Sequence, residues 1–312
     1  MRAITYRAYG DASVLTWSDV DDPPLRRGQV RIAVRRAALN PKDALFRKGK
    51  FRVLSGRSFP KRCGLDAAGV VVESRSSRLS VGERVFGCLD ELRALRGTLA
   101  EHTVFEEDEL CPIPDGVDDD AAAGAALAGL TALQALRDIA RVKPGEIVLV
   151  NGASGGVGTL AVQIARLLGA RVHTVTSAAN RALCEELGAE VTWSYEDDAF
   201  RRGGPFDVIF DVFGNLRFRA SRELLARRGC FISTVPSVSR LVREVTSRLD
   251  AQQERLVIVR SRRRDLAVLA GWLREGKLRT VIDARFALGD LQAAFARLES
   301  KRTRGKIIVE IA

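Results

Sequence analysis

The chain is 312 residues long, 46% hydrophobic and 29% charged, which suits an ordinary globular protein with core enough for about two domains. No apolar run approaches the ~18–20 residues of a membrane span, and the opening MRAITYRAYG carries no signal-peptide pattern, so a cytoplasmic protein without a membrane span is expected. The formal net charge of +11 is carried more by arginine than lysine and is spread along the chain without interleaved aromatics, which weighs against a nucleic-acid partner.

Residues 1–115 read as β-rich with frequent turns. Strand formers gather at 1–6, 29–38, 69–74 and 84–86, between Gly, Pro and Asp punctuation. Asn40-Pro41-Lys42-Asp43 opens a helical turn, since proline suits a first helical position. Residues 111–116, with Pro112, Pro114 and Gly116, read as a hinge into a second domain. A helix is expected over 118–140, with Asp118, Asp119 and Asp120 placing negative charge at its N-terminus.

The stretch 146–171 organises the second half of the chain. Ile147-Val148-Leu149-Val150 is a short apolar run that reads as a buried parallel strand. It breaks into Asn151-Gly152-Ala153-Ser154-Gly155-Gly156-Val157-Gly158, after which Val157, Leu160, Ala161, Ile164, Leu167 and Leu168 recur at helical spacing. Gly169 stands where a helix-ending glycine belongs, and 171–176 is a second strand. This βαβ unit carries the dinucleotide fingerprint, with Ala153 at its first glycine position. Gly155 lets a pyrophosphate approach the backbone, Gly158 lets the helix pack closely, and the helix N-terminus faces the phosphates.

Beyond it, helix is expected at 180–187 and 219–226, and strands at 191, 206–212, 229–234 and, last, 255–259. Alternating β and α means a doubly wound parallel sheet. After 266 come amphipathic helices at 266–274 and 288–298 and a strand at 305–311. No further βαβ unit is expected there, and the last strand is expected to return to the first domain. Cys63, Cys88, Cys111, Cys184 and Cys230 are odd in number and far apart, and His102 and His173 are the only histidines. Neither a disulfide framework nor a metal site is expected.

Taken end to end, the chain resembles the zinc-free, quinone oxidoreductase-like (zeta-crystallin-like) branch of the medium-chain dehydrogenase/reductase superfamily. The landmarks are Leu39-Asn40-Pro41-Lys42-Asp43 with Arg47-Lys48-Gly49, Gly64-Leu65-Asp66-Ala67-Ala68-Gly69, the turn at 81–87, Gly97-Thr98-Leu99-Ala100-Glu101, Leu127-Ala128-Gly129-Leu130-Thr131-Ala132, the fingerprint, and Arg304-Gly305-Lys306-Ile307. The resemblance implies an α/β architecture: a GroES-like β-rich domain over 1–115, completed by 266–312, and a Rossmann domain with a doubly wound parallel sheet over 116–265. It implies a small-molecule substrate, and a homodimer as in similar proteins.

The nucleotide expected is NADPH. An NAD site commonly ends the second strand in an acid that binds the ribose 2′-hydroxyl. Here the strand runs into Ser177, Ala178, Ala179, Asn180 and Arg181, where Ser177 and Asn180 can donate hydrogen bonds and Arg181 can pair with a 2′-phosphate. By resemblance, Tyr195 belongs to the adenosine site, Phe213, Gly214, Thr234 and Val235 line the nicotinamide side, and Thr131 lies near the cofactor.

Hydride transfer needs no side-chain nucleophile; it needs alignment and stabilisation of developing charge. Asn40 can donate to a substrate carbonyl, and Lys42 or Asp43 can supply or relay a proton, although Asp43 can equally cap the helix it enters. The leading expectation is NADPH-dependent reduction of a quinone or activated enone. An enoyl-thioester reductase and a redox-silent member of the fold are the alternatives.

Overall fold

The computed structural model describes residues 1–56, 58–91, 94–196, 199–235, 246 and 250–311. It divides into two compact units, Met1–Leu127 with Arg260–Ala312, and Ala128–Val259.

The first unit opens with Arg2–Tyr6 (β1), Thr16–Asp19 (β2) and the long strand Gln29–Leu39 (β3), whose pattern of alternating burial keeps Val30, Ile32 and Val34 inside. Pro41–Arg47 (α1) and the single turn Arg52–Ser55 (α2) follow, then Lys61–Arg62 (β4), Asp66–Ser74 (β5), Arg84–Cys88 (β6), His102–Glu106 (β7) and Leu110–Pro112 (β8). The hinge expected at 111–116 therefore begins as a strand, because residues 110–112 pair antiparallel with β6. The helix Asp119–Leu133 (α3) carries the division between the units, and a π-helical stretch, Gln134–Ala140, continues it. Its acidic start is clasped by arginines of the β unit: Arg84 reaches Asp119 at 2.6 Å and Arg36 reaches Asp120 at 2.9 Å.

The second unit is a six-stranded, wholly parallel sheet. Its strands are Ile147–Asn151 (β9), Arg171–Thr176 (β10), Val191–Ser194 (β11), Phe206–Asp211 (β12), Leu225–Ser233 (β13) and Gln253–Leu256 (β14), in the order β11-β10-β9-β12-β13-β14. Order reverses at β9, so the fingerprint turn sits at the topological switch point, where open α/β sheets bind ligands. Gly156–Leu167 (α4), Arg181–Glu186 (α5) and Phe218–Ser221 (α6) are the crossover helices. Leu149, Val175, Phe206, Ile209, Phe218 and Phe231 form a core around the sheet. The helix expected at 219–226 is cut short, since buried Leu225 already pairs with Phe206 and opens β13. The last strand lies two residues earlier than expected, with Gln253 beside Cys230.

The chain then returns to the first unit through Arg263–Arg274 (α7), Ile282–Ala287 (β15), Leu291–Glu299 (α8) and Lys306–Glu310 (β16). β16 pairs antiparallel with β3, in a sheet ordered β15-β16-β3-β5-β6-β8, with β7 also on β3. The expectation that no βαβ unit follows residue 266 is corrected: β15 and β16 are parallel and α8 crosses between them. β15 escapes a sequence reading because it is an edge strand with no buried residue, interrupted by Asp283 and Arg285. Leu291, Phe295, Ile307 and Val309 of this tail share one core with Ile4, Ala37 and Leu39.

Candidate functional site

Two groups of candidate residues stand out, one in each unit. In the second, β9 delivers the chain to Asn151, whose amide donates to Asp211 Oδ1 and to Asn215 Oδ1, both at 2.7 Å. The two glycines with assigned roles behave differently. A Cβ on Gly158 would stand 2.2 Å from the Gly152 carbonyl oxygen and 2.7 Å from Ala153 backbone, so α4 packs on the turn as only glycine allows. A Cβ on Gly155 would meet nothing nearer than the Gly152 oxygen at 3.5 Å, which leaves open space over its backbone. The first bond into the helix is Thr159 N–H to the Gly155 carbonyl at 2.9 Å, so the N–H groups of Gly156, Val157 and Gly158 form the free start of α4. An open cradle before a free helix N-terminus suits a pyrophosphate. Ala153 is fully buried beneath it.

At the other end of the turn, Thr176 closes β10 and donates to Ser154 Oγ at 2.8 Å, and Asn180 Nδ2 donates to the same oxygen at 3.1 Å. Ser177 is half-exposed between them. Arg181 is exposed and its Nη2 donates to the Thr192 carbonyl at 3.1 Å, tying it to β11. No acid stands between 176 and 181.

The exposed large apolar side chains of this unit, among the described residues, are Tyr195, Phe213, Val235 and Ile258. Each lies one or two residues beyond the carboxyl end of a parallel strand. Water-exposed apolar groups at the carboxyl ends of the parallel strands mark a surface built for a ligand. The loop bearing Phe213 is fixed by Asp211, fully buried, whose oxygens accept from Gly214 N–H at 2.9 Å and Leu216 N–H at 3.1 Å. Gly214 has φ +84°. Thr234 Oγ1 donates to the Val212 carbonyl at 2.9 Å. Thr131 is buried on the stretch of α3 that belongs to this unit. Pro236, which follows Thr234 and Val235 in the segment that the resemblance assigns to the nicotinamide side, lies outside the described residues. Asp211 is a site-building residue that sequence reading passes over; its signal was an acid closing a buried strand three residues before a glycine.

In the first unit, Asn40 is the cap residue of α1 and Pro41 its first helical residue, as proline at that position predicts. Asp43 occupies the third position and its Oδ2 accepts the Asn40 N–H at 2.8 Å, so it caps its own helix. Asn40 is 5% exposed and both amide protons are committed, to the Ala38 carbonyl at 3.2 Å and to Asp66 Oδ2 at 3.0 Å. Its Oδ1 accepts from Lys306 Nζ at 2.6 Å, and Lys306 also pairs with Asp66 at 3.2 Å. Leu127 N–H donates to Asp66 Oδ1 at 3.0 Å. Burial pushes the Asp66 carboxyl up, against the pull of Lys306. Burial likewise pushes Asp43 up, to about 7, opposed by the Asn40 N–H and reinforced by Asp66. Lys42 is half-buried with its ammonium 5.7 Å from the Phe46 ring.

Lys306 comes from the end of the chain and is missing from the sequence-derived candidates. The signal was a lone lysine opening an apolar strand, KIIVE. Three or more His, Cys, Asp or Glu side chains placed to hold a metal do not occur among the described residues.

Residues 26–115 match the family model described as alcohol dehydrogenase GroES-like domain, and residues 187–309 match that described as zinc-binding dehydrogenase. A chloroplast envelope quinone oxidoreductase homolog of Arabidopsis thaliana is 31% identical over 325 residues, covering 99% of this chain and 98% of that protein. An NADPH-dependent alkenal/one oxidoreductase of the same plant is 32% identical over 327 residues, covering 99% of this chain and 79% of its own length. The solved structure of the quinone oxidoreductase from Coxiella burnetii superposes with a TM-score of 0.92 at 29% identity, covering 100% of this chain and 99% of the other.

Proposed function

Because the chain belongs to the quinone oxidoreductase-like branch of the medium-chain dehydrogenase/reductase superfamily, a family of nicotinamide-dependent oxidoreductases, we propose that it uses NADPH, works without zinc, and passes hydride to a quinone or an activated enone. The observation that carries the nucleotide reading is the open cradle at Gly155 joined to a ribose end that offers donors and no acid.

When bound, the nicotinamide supplies the hydride. The chain has to hold the nucleotide, exclude water and manage charge and protons at the acceptor. The turn formed by Ala153, Ser154, Gly155, Gly156, Val157 and Gly158 would hold the pyrophosphate through its backbone, leaving the Ser154 hydroxyl directed to the Thr176 and Asn180 end. Ser177, Asn180, Arg181 and Tyr195 would hold the adenosine end, and Thr131, Phe213, Gly214, Thr234 and Val235 the nicotinamide side.

Asn40, Lys42 and Asp43 are the proposed catalytic group. Asn40 serves as an amide locked in one orientation by Lys306 and Asp66 rather than as a loose donor. Lys42 carries the cation able to offset charge on a reduced carbonyl oxygen. Asp43, titrating at about 7, is suited to hold and return a proton at neutral pH.

The test is a nicotinamide-fluorescence titration with NADPH and NADH, followed by turnover on quinones, enones and enoyl thioesters. NADPH binding with quinone or enone turnover supports the proposal. Turnover confined to enoyl thioesters moves the substrate class, and binding of neither nucleotide overturns it.

A further inference from the structure

Ser154 is the one polar side chain within the fingerprint proper, and its oxygen is where two donors converge. Thr176 Oγ1 and Asn180 Nδ2 both donate to it, at 2.8 and 3.1 Å. A serine hydroxyl has two acceptor lone pairs and one proton. With both lone pairs engaged, Ser154 faces outward only as a donor, and its hydroxyl meets no protein acceptor among the described residues.

Position identifies what this donor addresses. Thr176 ends β10, the second strand of the βαβ unit, and Asn180 lies in the turn beyond it. The end of that strand is where a dinucleotide fold meets the adenosine ribose. A carboxylate there would accept from a 2′-hydroxyl, but residues 176–181 contain no acid, and the lone pairs of Ser154 are already taken. A 2′-hydroxyl therefore finds neither a carboxylate nor the Ser154 oxygen to take its proton. A 2′-phosphate brings only acceptor oxygens, and its bond to the hydroxyl is charge-assisted.

We infer that Ser154 is the specificity-determining residue for the adenosine 2′ position, giving its proton to a 2′-phosphate oxygen, with Thr176 and Asn180 as positioning residues that keep the hydroxyl in its donor sense. This rests on the NADPH reading above and assigns the discrimination to a neutral hydroxyl inside the fingerprint.

Dissociation constants for NADPH and NADH, measured on the full chain and on Ser154→Ala, Thr176→Val and Thr176→Ser, test it. The unsubstituted protein prefers NADPH. Ser154→Ala weakens NADPH about tenfold and leaves NADH within about twofold, so the preference collapses while NADH binding certifies the fold. Thr176→Val keeps the shape but removes one donor, and loses part of the preference; Thr176→Ser restores it. If Ser154→Ala weakens both nucleotides equally, or leaves the preference intact, Ser154 does not read the 2′ position and the inference is overturned. An unsubstituted protein without a preference overturns the NADPH proposal itself, and the role of Ser154 falls with it.

Discussion

The two fingerprint glycines separate binding from folding. Gly155→Ala adds a methyl where the protein leaves room, so the variant should fold with an unchanged unfolding midpoint yet bind nicotinamide nucleotide at least about tenfold more weakly. Gly158→Ala drives a methyl to 2.2 Å from a carbonyl oxygen, and should lower stability by about 1–3 kcal/mol in urea unfolding. Equal loss of stability in both variants would contradict the open cradle. Asp43 makes a pH-dependent case. Its carboxyl is raised in the fold from 3.8 to about 7, so the folded state binds the proton more tightly. The stabilisation from that proton is complete below 3.8 and is lost as pH rises through about 7. Asp43→Asn keeps an oxygen for the Asn40 N–H but never ionises. It should therefore gain on the unsubstituted protein between pH 5 and pH 8, by at least about 1 kcal/mol. A constant difference across that range would rule the titration out.

At the level of elements, β16 and β10 carry their own consequences. Lys306 opens β16 and neutralises Asp66, which is fully buried on β5. Lys306→Met leaves that carboxylate unpaired and should cost about 3–5 kcal/mol at pH 8. The cost should shrink when Asp66→Asn is added, because the stranded charge is then gone; a double variant no better than the single one would show that packing, not charge, is what Lys306 provides. On β10, His173 is 8% exposed, its ring lies edge-on to Phe206 at 5.6 Å, and neither nitrogen has a hydrogen-bond partner among the described residues. Burial pushes its pKa down, with Arg171 adding to the effect. The unfolded chain then takes up the proton first, so this contribution is present above the ordinary imidazole value of 6.5 and is lost as pH falls below it. Replacing His173 by Leu should flatten the acid limb of the stability curve in calorimetric scans from pH 7 to pH 5.

On the scale of the molecule, the first unit is made from both ends of the chain. The tail contributes Leu291, Phe295, Ile307 and Val309 to the core that holds β1 and β3, and α8 is latched to α1 by Glu299 with Arg47 and Lys48. A chain ending at Val259 should therefore leave 1–127 open to limited proteolysis while fragments of the parallel sheet persist. Protection of 1–127 in that truncated chain would mean that the unit closes without its tail. The described helices include none long and apolar enough to cross a membrane.

The features legible in the residues alone are local. The βαβ unit at 146–171, the helix start at Asn40-Pro41 and the parallel sheet all arise from periodicity, glycine placement and capping chemistry, which act over a few neighbouring residues. Edge strand β15 and the early start of β13 were hidden, since their pairing with β16 and β12 outweighs a polar composition in one case and helical spacing in the other. The partners emerge from the folded chain: Lys306 meets Asp66 and Asn40 across 240 and 266 residues of chain, both amide protons of Asn40 are already in use, and Ser154 receives two hydrogen bonds. Those facts depend on which side chains converge in space, and a buried polar group takes its role from the partners that the rest of the fold brings to it.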